Sequence, residues 1–176
     1  MTIFFAESGL KRRKVIVKIS STYIGMFSSR YVPNTISRKD RKKVIRMLNR
    51  SKKLYKKKQY YTRKKIPSFT SKKSKHVSNA YRMYSIQTMV PNKELAVKTG
   101  CKISALKQIV KKGEGAYYSS GSRPNQTPQS WGFARLASAL TAGKAATVDF
   151  DIIQKGCDHR KKTYILANTS RKLSNS

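Results

Sequence analysis

The sequence predicts a mainly α-helical fold with a small β component, an α+β chain whose small helical domain follows an extended, basic N-terminal half. Apolar residues recur at helical spacing in four segments between residues 37 and 141, whereas β-branched alternating runs occur only near the two ends. Hydrophobic residues make up 38% of the chain, so we expect a small core that is confined to part of it.

Residues 1–36 are predicted to be a β-prone N-terminal arm. Residues 2–6 form a short apolar run, and residues 14–20 (KVIVKIS) alternate as a strand does. A lone hairpin is marginally stable and needs a surface to pack on. The run TYILA at 163–167, within a C-terminal tail over residues 158–176, is predicted to supply a third strand.

Residues 37–79 are predicted to form a basic helix, over about residues 37–58, followed by an extended basic arm. From Lys11 to Lys75 the chain has 24 Lys and Arg residues against one acid, Asp40. Ser37 is the expected N-cap, with Asp40 completing a variant capping box. Because crowded like charges destabilise a helix, we expect an anionic partner that also orders the arm. The predicted polyanion-binding residues are Lys42, Lys43, Arg46, Arg50, Lys52, Lys53, Lys56, Lys57, Lys58, Arg63, Lys64, Lys65, Lys72 and Lys73.

Residues 80–157 are predicted to be a small helical domain. One helix is expected over about residues 92–99, closed by Gly100, and a second over about 105–112, capped by Ser104 and closed by Gly113. A third should run from Pro128, after the cap Thr127, to Thr141, and Asp149 should cap a last turn that ends at Gly156.

Residues 92–112 fit a helix-turn-helix pattern, with Gly100 in the turn and Leu106 and Ile109 facing the core. This pattern is equally typical of a plain helical hairpin. In the DNA-binding interpretation Gln108 would read a base and the lysines would contact phosphate. The exposed surface of the second helix would then comprise Ser104, Ala105, Lys107, Gln108, Lys111 and Lys112.

The segment from Lys112 to Ser130 is rich in Gly, Ser and Tyr and allows two interpretations. Ser119, Ser120, Ser122 and Arg123 would capture an anion near a helix N-terminus, or the segment is an Ω-loop packed by Tyr117, Tyr118 and Trp131. The possible nucleic-acid or anion contacts are therefore Lys107, Gln108, Lys111, Lys112, Ser119, Ser120 and Arg123.

The sequence offers no pattern typical of catalysis, so we expect no enzyme, catalytic residue, cofactor or small-molecule substrate. His76, Cys101, Cys157 and His159 lack zinc-finger spacing, and we expect no metal site and two reduced thiols. Asp149, Asp151 and Asp158 are expected to cap a helix and pair with nearby cations rather than bind a metal ion. No segment is long and apolar enough for a transmembrane helix.

Three segments of the sequence are distinctive. They are KDRKKVIRMLNRSKKLYKKKQYYTRKK at 39–65, the block at 94–152 that contains GAYYSSGSRPNQT and SWGFARLASA, and the pair GC at 156–157. In these segments the chain resembles an uncharacterised protein family of large double-stranded DNA viruses that infect algae and amoebae, with shorter relatives in tailed phages. The resemblance implies a virion component, most specifically a chlorovirus-type minor capsid protein. Such a protein would lie on the inner side of the shell, after assembly in the host cytoplasm.

Two functions follow as expectations. As a minor capsid protein, the chain would cement the shell by contacting other capsid proteins and, through its basic half, an anionic membrane surface or the genome. As an alternative, it would bind or package double-stranded DNA with the helix-turn-helix and the basic arm.

Overall fold

The computed structural model describes residues 27–175, and this part of the chain is mainly helical. Within it, the only extended pairing is an isolated bridge between Cys101 and Cys157. The strands predicted over residues 2–6 and 14–20 lie outside the described residues. The described helices are α1 (Arg38–Lys56), α2 (Lys75–Tyr84), α3 (Lys93–Thr99), α4 (Ile103–Ser119), α5 (Pro128–Leu140), α6 (Lys144–Val148), α7 (Phe150–Gly156) and α8 (Lys162–Asn175).

The third strand, predicted over residues 163–167, is wrong, because these residues belong to α8. Thr163 and Ala167 are both fully buried, whereas Ile165 between them is 52% exposed. A strand would place all three on one face, while a helix places only residues four apart together. The β-branched and aromatic residues favoured a strand, but α8 packs its small side chains against α6 and α7.

The start of α1 is confirmed, and its capping box is closed through another segment. The Ser37 hydroxyl accepts a hydrogen bond from the Asp40 N–H at 3.1 Å. The Asp40 carboxylate does not return to the Ser37 N–H directly. Instead it accepts from the Ser68 hydroxyl at 2.5 Å, and that hydroxyl accepts from the Ser37 N–H at 3.3 Å. The arm that follows α1 is therefore fastened to the first turn of α1.

Two hydrophobic cores hold the described residues together. The smaller one takes the apolar stripe of α1 and packs it against residues 27–36 and against Ile66 of the arm. The larger one lies among α2–α8, with Leu106, Leu136 and Leu140 fully enclosed. The members of the smaller core are Phe27, Val32, Ile36, Val44, Ile45, Met47, Leu48 and Ile66.

Helix α4 is longer than the sequence predicted, at both ends. It begins at Ile103 without a side-chain cap from Ser104, and it continues through Gly113 to Ser119. A Cβ added to Gly113 would lie 2.6 Å from the Gly132 Cα of α5, so the two backbones cross there in direct contact. Glycine was interpreted as a helix stop, whereas its role here is to let α4 and α5 approach closely.

The other helices of residues 80–157 agree more closely with expectation. Helices α3 and α5 are confirmed, including Gly100 in the left-handed region after α3 and Thr127 as the cap of α5. Helix α7 follows Asp149 as predicted, but the Asp149 side chain does not cap it. Helix α6 was not predicted, and the first half of α2 was placed in the extended arm.

The two cysteines form a disulfide, so the prediction of two reduced thiols is wrong. The bond joins the turn between α3 and α4 to the end of α7, 56 residues further on. Backbone hydrogen bonds flank it, from the Lys102 N–H to the Gly156 carbonyl at 2.7 Å and from the Asp158 N–H to the Gly100 carbonyl at 2.8 Å. The sequence separation gave no sign of this pairing, which depends on the tertiary fold.

Candidate functional site

Helix α1 carries a dense array of outward-facing cations. Ten of its 19 residues are Lys or Arg, and its apolar stripe is buried against the chain itself. Within residues 27–175 the ion pairs are made by Asp149 and Asp158, and neither pairs with a cation of α1. Eleven of the fourteen predicted polyanion-binding residues are exposed: Lys42, Arg46, Arg50, Lys53, Lys56, Lys57, Lys58, Lys64, Lys65, Lys72 and Lys73. These residues define the basic surface.

Two cations of α1 lie over aromatic rings of the smaller core. The Lys52 ammonium is 4.3 Å from the centre of the Phe27 ring, and the Arg50 guanidinium is 4.7 Å from that of Tyr61. Lys52 is half-buried, so its stem covers apolar surface while its charge stays near solvent, and Lys43 is half-buried as well. These contacts hold part of the basic surface in a fixed position.

Arg63 has a different place from the other predicted cations, because its guanidinium is built into the fold. It donates to the Ser122 hydroxyl at 2.7 Å, to the Tyr117 carbonyl at 3.0 Å and to the Ser51 hydroxyl at 3.2 Å. It also lies 3.6 Å above the Tyr117 ring. Burial lowers the pKa of the Arg63 guanidinium, yet an arginine stays charged at neutral pH. We therefore leave Arg63 out of the basic surface.

The arm over residues 59–74 is clamped by the segment that the sequence marked as unusual. The Asn125 side chain accepts from the Ile66 N–H at 2.7 Å and donates to the Ile66 carbonyl at 3.1 Å and the Phe69 carbonyl at 2.9 Å. One side-chain amide thus satisfies three backbone polar groups of the arm, as the backbone of a neighbouring strand would. Sequence reasoning missed Asn125, although the GSRPNQT motif around it was the available signal.

The residues proposed for anion capture are not assembled into one site. Ser122 is buried and holds Arg63, whereas Ser119, Ser120 and Arg123 are exposed. The N-terminus of α5 is closed by its own capping box between Thr127 and Ser130. The Ω-loop interpretation fits in part, since Tyr117 is buried, but residues up to Ser119 are helical. The single tryptophan, Trp131, is half-buried and meets Tyr31 edge to face.

Helices α3 and α4 are consecutive helices joined by a short turn, as both the helix-turn-helix and the plain helical hairpin require. A three-residue turn that begins with Gly100 joins them, and Leu95, Leu106 and Ile109 are buried between them and the core. Of the predicted recognition surface, Ala105 is buried beside Gly156, and Lys112 pairs with Asp149 at 2.8 Å. The exposed remainder is Ser104, Lys107, Gln108 and Lys111.

Asp149 is the centre of a buried ion cluster that ties α4, α5 and α7 together. Its carboxylate is fully buried and accepts two hydrogen bonds from Arg135, at 2.7 and 2.8 Å, besides the contact with Lys112. The expectation that Asp149 would cap a helix or pair with the nearest lysines is wrong. Asp158 does pair with Arg160, at 3.3 Å on the surface.

The histidines are engaged in local contacts. The His76 ring lies 3.2 Å from the Thr141 hydroxyl, and the His159 ring stacks on Tyr164. Among residues 27–175, no group of three or more His, Cys, Asp or Glu side chains is arranged to hold a metal ion. In the same part of the chain, no helix has the length and apolar character needed to cross a bilayer.

Comparison with known proteins identifies the family of the chain. No curated protein and no solved structure matches the chain significantly. A family model, described as a family of unknown function (DUF5824), matches residues 28–156. The match includes α1, the arm, the Asn125 clamp and the helices α3 and α4, and it covers well over half of the chain. The chain therefore belongs to the DUF5824 family.

Proposed function

We propose that this protein is a structural component of a double-stranded DNA virus particle that binds an anionic layer through its basic surface. The observation that carries the proposal is that the exposed cations of α1 have no carboxylate partner in the described chain, while the opposite face of α1 is fixed to the core. Cations that are held in place but not neutralised attract a polyanion and lose self-repulsion on binding it.

In this proposal the protein is a minor capsid protein on the inner side of the shell. The helical domain packs against other capsid proteins, and the basic surface meets the anionic membrane face or the genome beneath. The resemblance to proteins of large DNA viruses supports this role, and the charge of +33 suits a space that faces lipid headgroups or DNA. No enzymatic activity is proposed.

Replacing three exposed lysines tests the basic surface. In Lys53→Gln/Lys56→Gln/Lys57→Gln the slope of log affinity against log salt for duplex DNA should become less steep by about 3, since each lost phosphate contact removes about 0.9. The matched control replaces Lys98, Lys144 and Lys155, which are exposed on α3, α6 and α7. An equal change in both variants would mean that only total charge matters, and the proposed surface would be wrong.

The location of the protein tests the structural role. Particles disrupted gently should release it with the shell fractions, detected by mass spectrometry, rather than with the genome core. Its presence in infected-cell extracts together with its absence from purified particles would defeat the capsid proposal.

A second function, sequence-specific DNA binding, is favoured by one observation, the turn geometry that leaves Lys107, Gln108 and Lys111 exposed on α4. A base-reading role predicts that Gln108→Ala reduces affinity for a selected duplex by about 1–3 kcal/mol and leaves affinity for random duplex unchanged. Selection from a random duplex library supplies the site. If no sequence is enriched, α4 does not read bases.

A further inference from the structure

Tyr60 is an exposed aromatic ring at the end of the basic surface. Its exposed fraction is 69%. The next most exposed tyrosine among the described residues is Tyr81, at 37%. A large apolar ring is normally at least partly covered, and an exposed one that is held in place is a common contact for a ligand.

The Tyr60 ring is held by two other tyrosines. It meets the Tyr118 ring edge to face at 5.0 Å and the Tyr55 ring at 6.1 Å, and those two rings stack on each other at 6.0 Å. Both supporting rings are half-buried between α1 and α4. Tyr60 is therefore positioned before any ligand arrives, which reduces the entropy cost of binding.

The chain reversal that brings Tyr60 back onto Tyr55 has a strained residue at its centre. After α1 the Gln59 N–H donates to the Leu54 carbonyl at 3.0 Å and the Lys58 N–H to the Tyr55 carbonyl at 2.9 Å, which is a Schellman motif. Glycine usually occupies the left-handed position of this motif, but here Lys58 takes it, with φ of 58°. Lys58 therefore holds a backbone conformation that glycine would adopt at lower cost, and it is an exposed cation two residues before Tyr60.

The surroundings of Tyr60 are cationic and continue onto α4. Lys56, Lys57, Lys58 and Lys64 are all exposed beside it in sequence. The Tyr55 hydroxyl lies over Gly115, since a Cβ added there would be 3.3 Å from it. On a helix, Lys111 and Gln108 occupy the same face as Gly115, one and two turns earlier. The tyrosine cluster thus adjoins the exposed face of the helix-turn-helix.

We propose that Tyr60 is a stacking site for an unpaired base of single-stranded nucleic acid, with the neighbouring lysines holding its phosphates. This inference rests on the proposed polyanion binding and names its ligand. A ring with cations on both sides in sequence matches the alternation of bases and phosphates along a single strand. Duplex DNA keeps its bases stacked and cannot use the ring. Membrane insertion would need several apolar side chains together. The exposed apolar residues Val97, Ile165 and Leu173 are on α3 and α8, whereas Tyr60 follows α1.

The test compares Tyr60→Ala, Tyr60→Phe and the control Tyr81→Ala on four probes: a dT12 oligonucleotide, a 12-base-pair duplex, heparin, and phosphatidylcholine vesicles with phosphatidylserine. We expect Tyr60→Ala to weaken dT12 binding about tenfold with an unchanged salt slope, because stacking releases no counterions. Tyr60→Phe should keep wild-type affinity. Binding of the other three probes should change less than twofold, and circular dichroism should show a native melting curve.

Three results would overturn the stacking site: no change on dT12, equal weakening on dT12 and duplex, or a loss that is largest on the vesicles. The last result would make Tyr60 a membrane contact. Failure of the proposed function is distinguishable, because it would be seen as wild-type protein that binds none of the four probes, or binds them without dependence on Lys53, Lys56 and Lys57.

Discussion

Replacing Arg63 by Gln should destabilise the protein without a special loss of polyanion affinity. The guanidinium donates three hydrogen bonds, to two hydroxyls at 2.7 and 3.2 Å and to a backbone carbonyl at 3.0 Å, and it covers the Tyr117 ring at 3.6 Å. The Tyr117 carbonyl lies in the last turn of α4, where the helix itself supplies no donor. Removing the guanidinium therefore leaves the Tyr117 carbonyl without a donor, because the glutamine side chain is shorter and has a single amide.

The magnitude follows from these contacts. At about 1 kcal/mol for each hydrogen bond and about 1 kcal/mol for the cation–π contact, Arg63→Gln should cost about 3–4 kcal/mol. For a chain of this size that corresponds to a fall in melting temperature of about 6–16 °C. Arg63→Lys keeps the charge but loses the planar fork, and we expect about half of that cost.

Thermal and urea denaturation, followed by circular dichroism, measure the stability, and heparin affinity measures polyanion binding. The control is Lys64→Gln, which removes the same charge one residue away from an exposed side chain. We expect the control to change the free energy of unfolding by less than about 0.5 kcal/mol and to weaken heparin binding more than Arg63→Gln does, because Lys64 belongs to the basic surface and Arg63 does not. A native melting temperature for Arg63→Gln, together with a larger loss of heparin affinity, would refute this account of Arg63.

Three further changes have defined outcomes. Asp149→Ala leaves Arg135 and Lys112 without their shared carboxylate and should cost about 3–5 kcal/mol in urea denaturation. Opening the Cys101–Cys157 disulfide with dithiothreitol should lower the free energy of unfolding by about 4 kcal/mol, because the unfolded chain gains the entropy of a loop of this length. An unchanged urea midpoint would contradict this expectation. The Ser68 hydroxyl lowers the pKa of Asp40, so the stability that Asp40 adds is present above its ordinary pKa of 3.8 and is lost as pH falls through the lowered value. Ser68→Ala should raise that pKa, as NMR titration of the Asp40 carboxyl would show.

The elements that sequence reasoning predicted well are those with local signals. Ser37 and Thr127 accept hydrogen bonds from backbone N–H groups three residues on, and Gly100 takes a left-handed conformation after α3. Each of these signals depends only on residues within one helical turn. The starts of α1 and α5 and the end of α3 could therefore be located from the sequence.

The features that were missed depend on residues distant in sequence. Gly113 stops no helix because Gly132, on another helix, uses the space that its missing side chain leaves. Thr163 and Ala167 form one turn of α8 because a helix buries both against the larger core. The disulfide likewise needs the fold to bring the α3–α4 turn to the end of α7. A single sequence carries no information about such pairings.

The candidate site also combines features that depend on local signals with features that depend on residues distant in sequence. The exposed cations of α1 follow from helical periodicity, because the apolar stripe fixes which side faces solvent. The arm lacks such a period, so nothing local distinguishes Arg63, which points inward, from Lys64 and Lys65, which are exposed. The difference is made by Ser122 and Tyr117, which lie more than 50 residues away.

The contacts that hold α1 and the arm in place do not depend on the lysines of the basic surface. The basic surface was expected to take a fixed shape only against a polyanion. In the structure α1 is fixed by its buried stripe, by Ser68 at its first turn and by the tyrosines at its last, and the arm is fixed by Arg63 and Asn125. The exposed charges project into water, where a Debye length of about 8 Å at physiological salt screens their repulsion. None of these anchors uses an exposed lysine of the basic surface, so we expect those lysines to be expendable for folding, and the polyanion binding proposed above would account for their number.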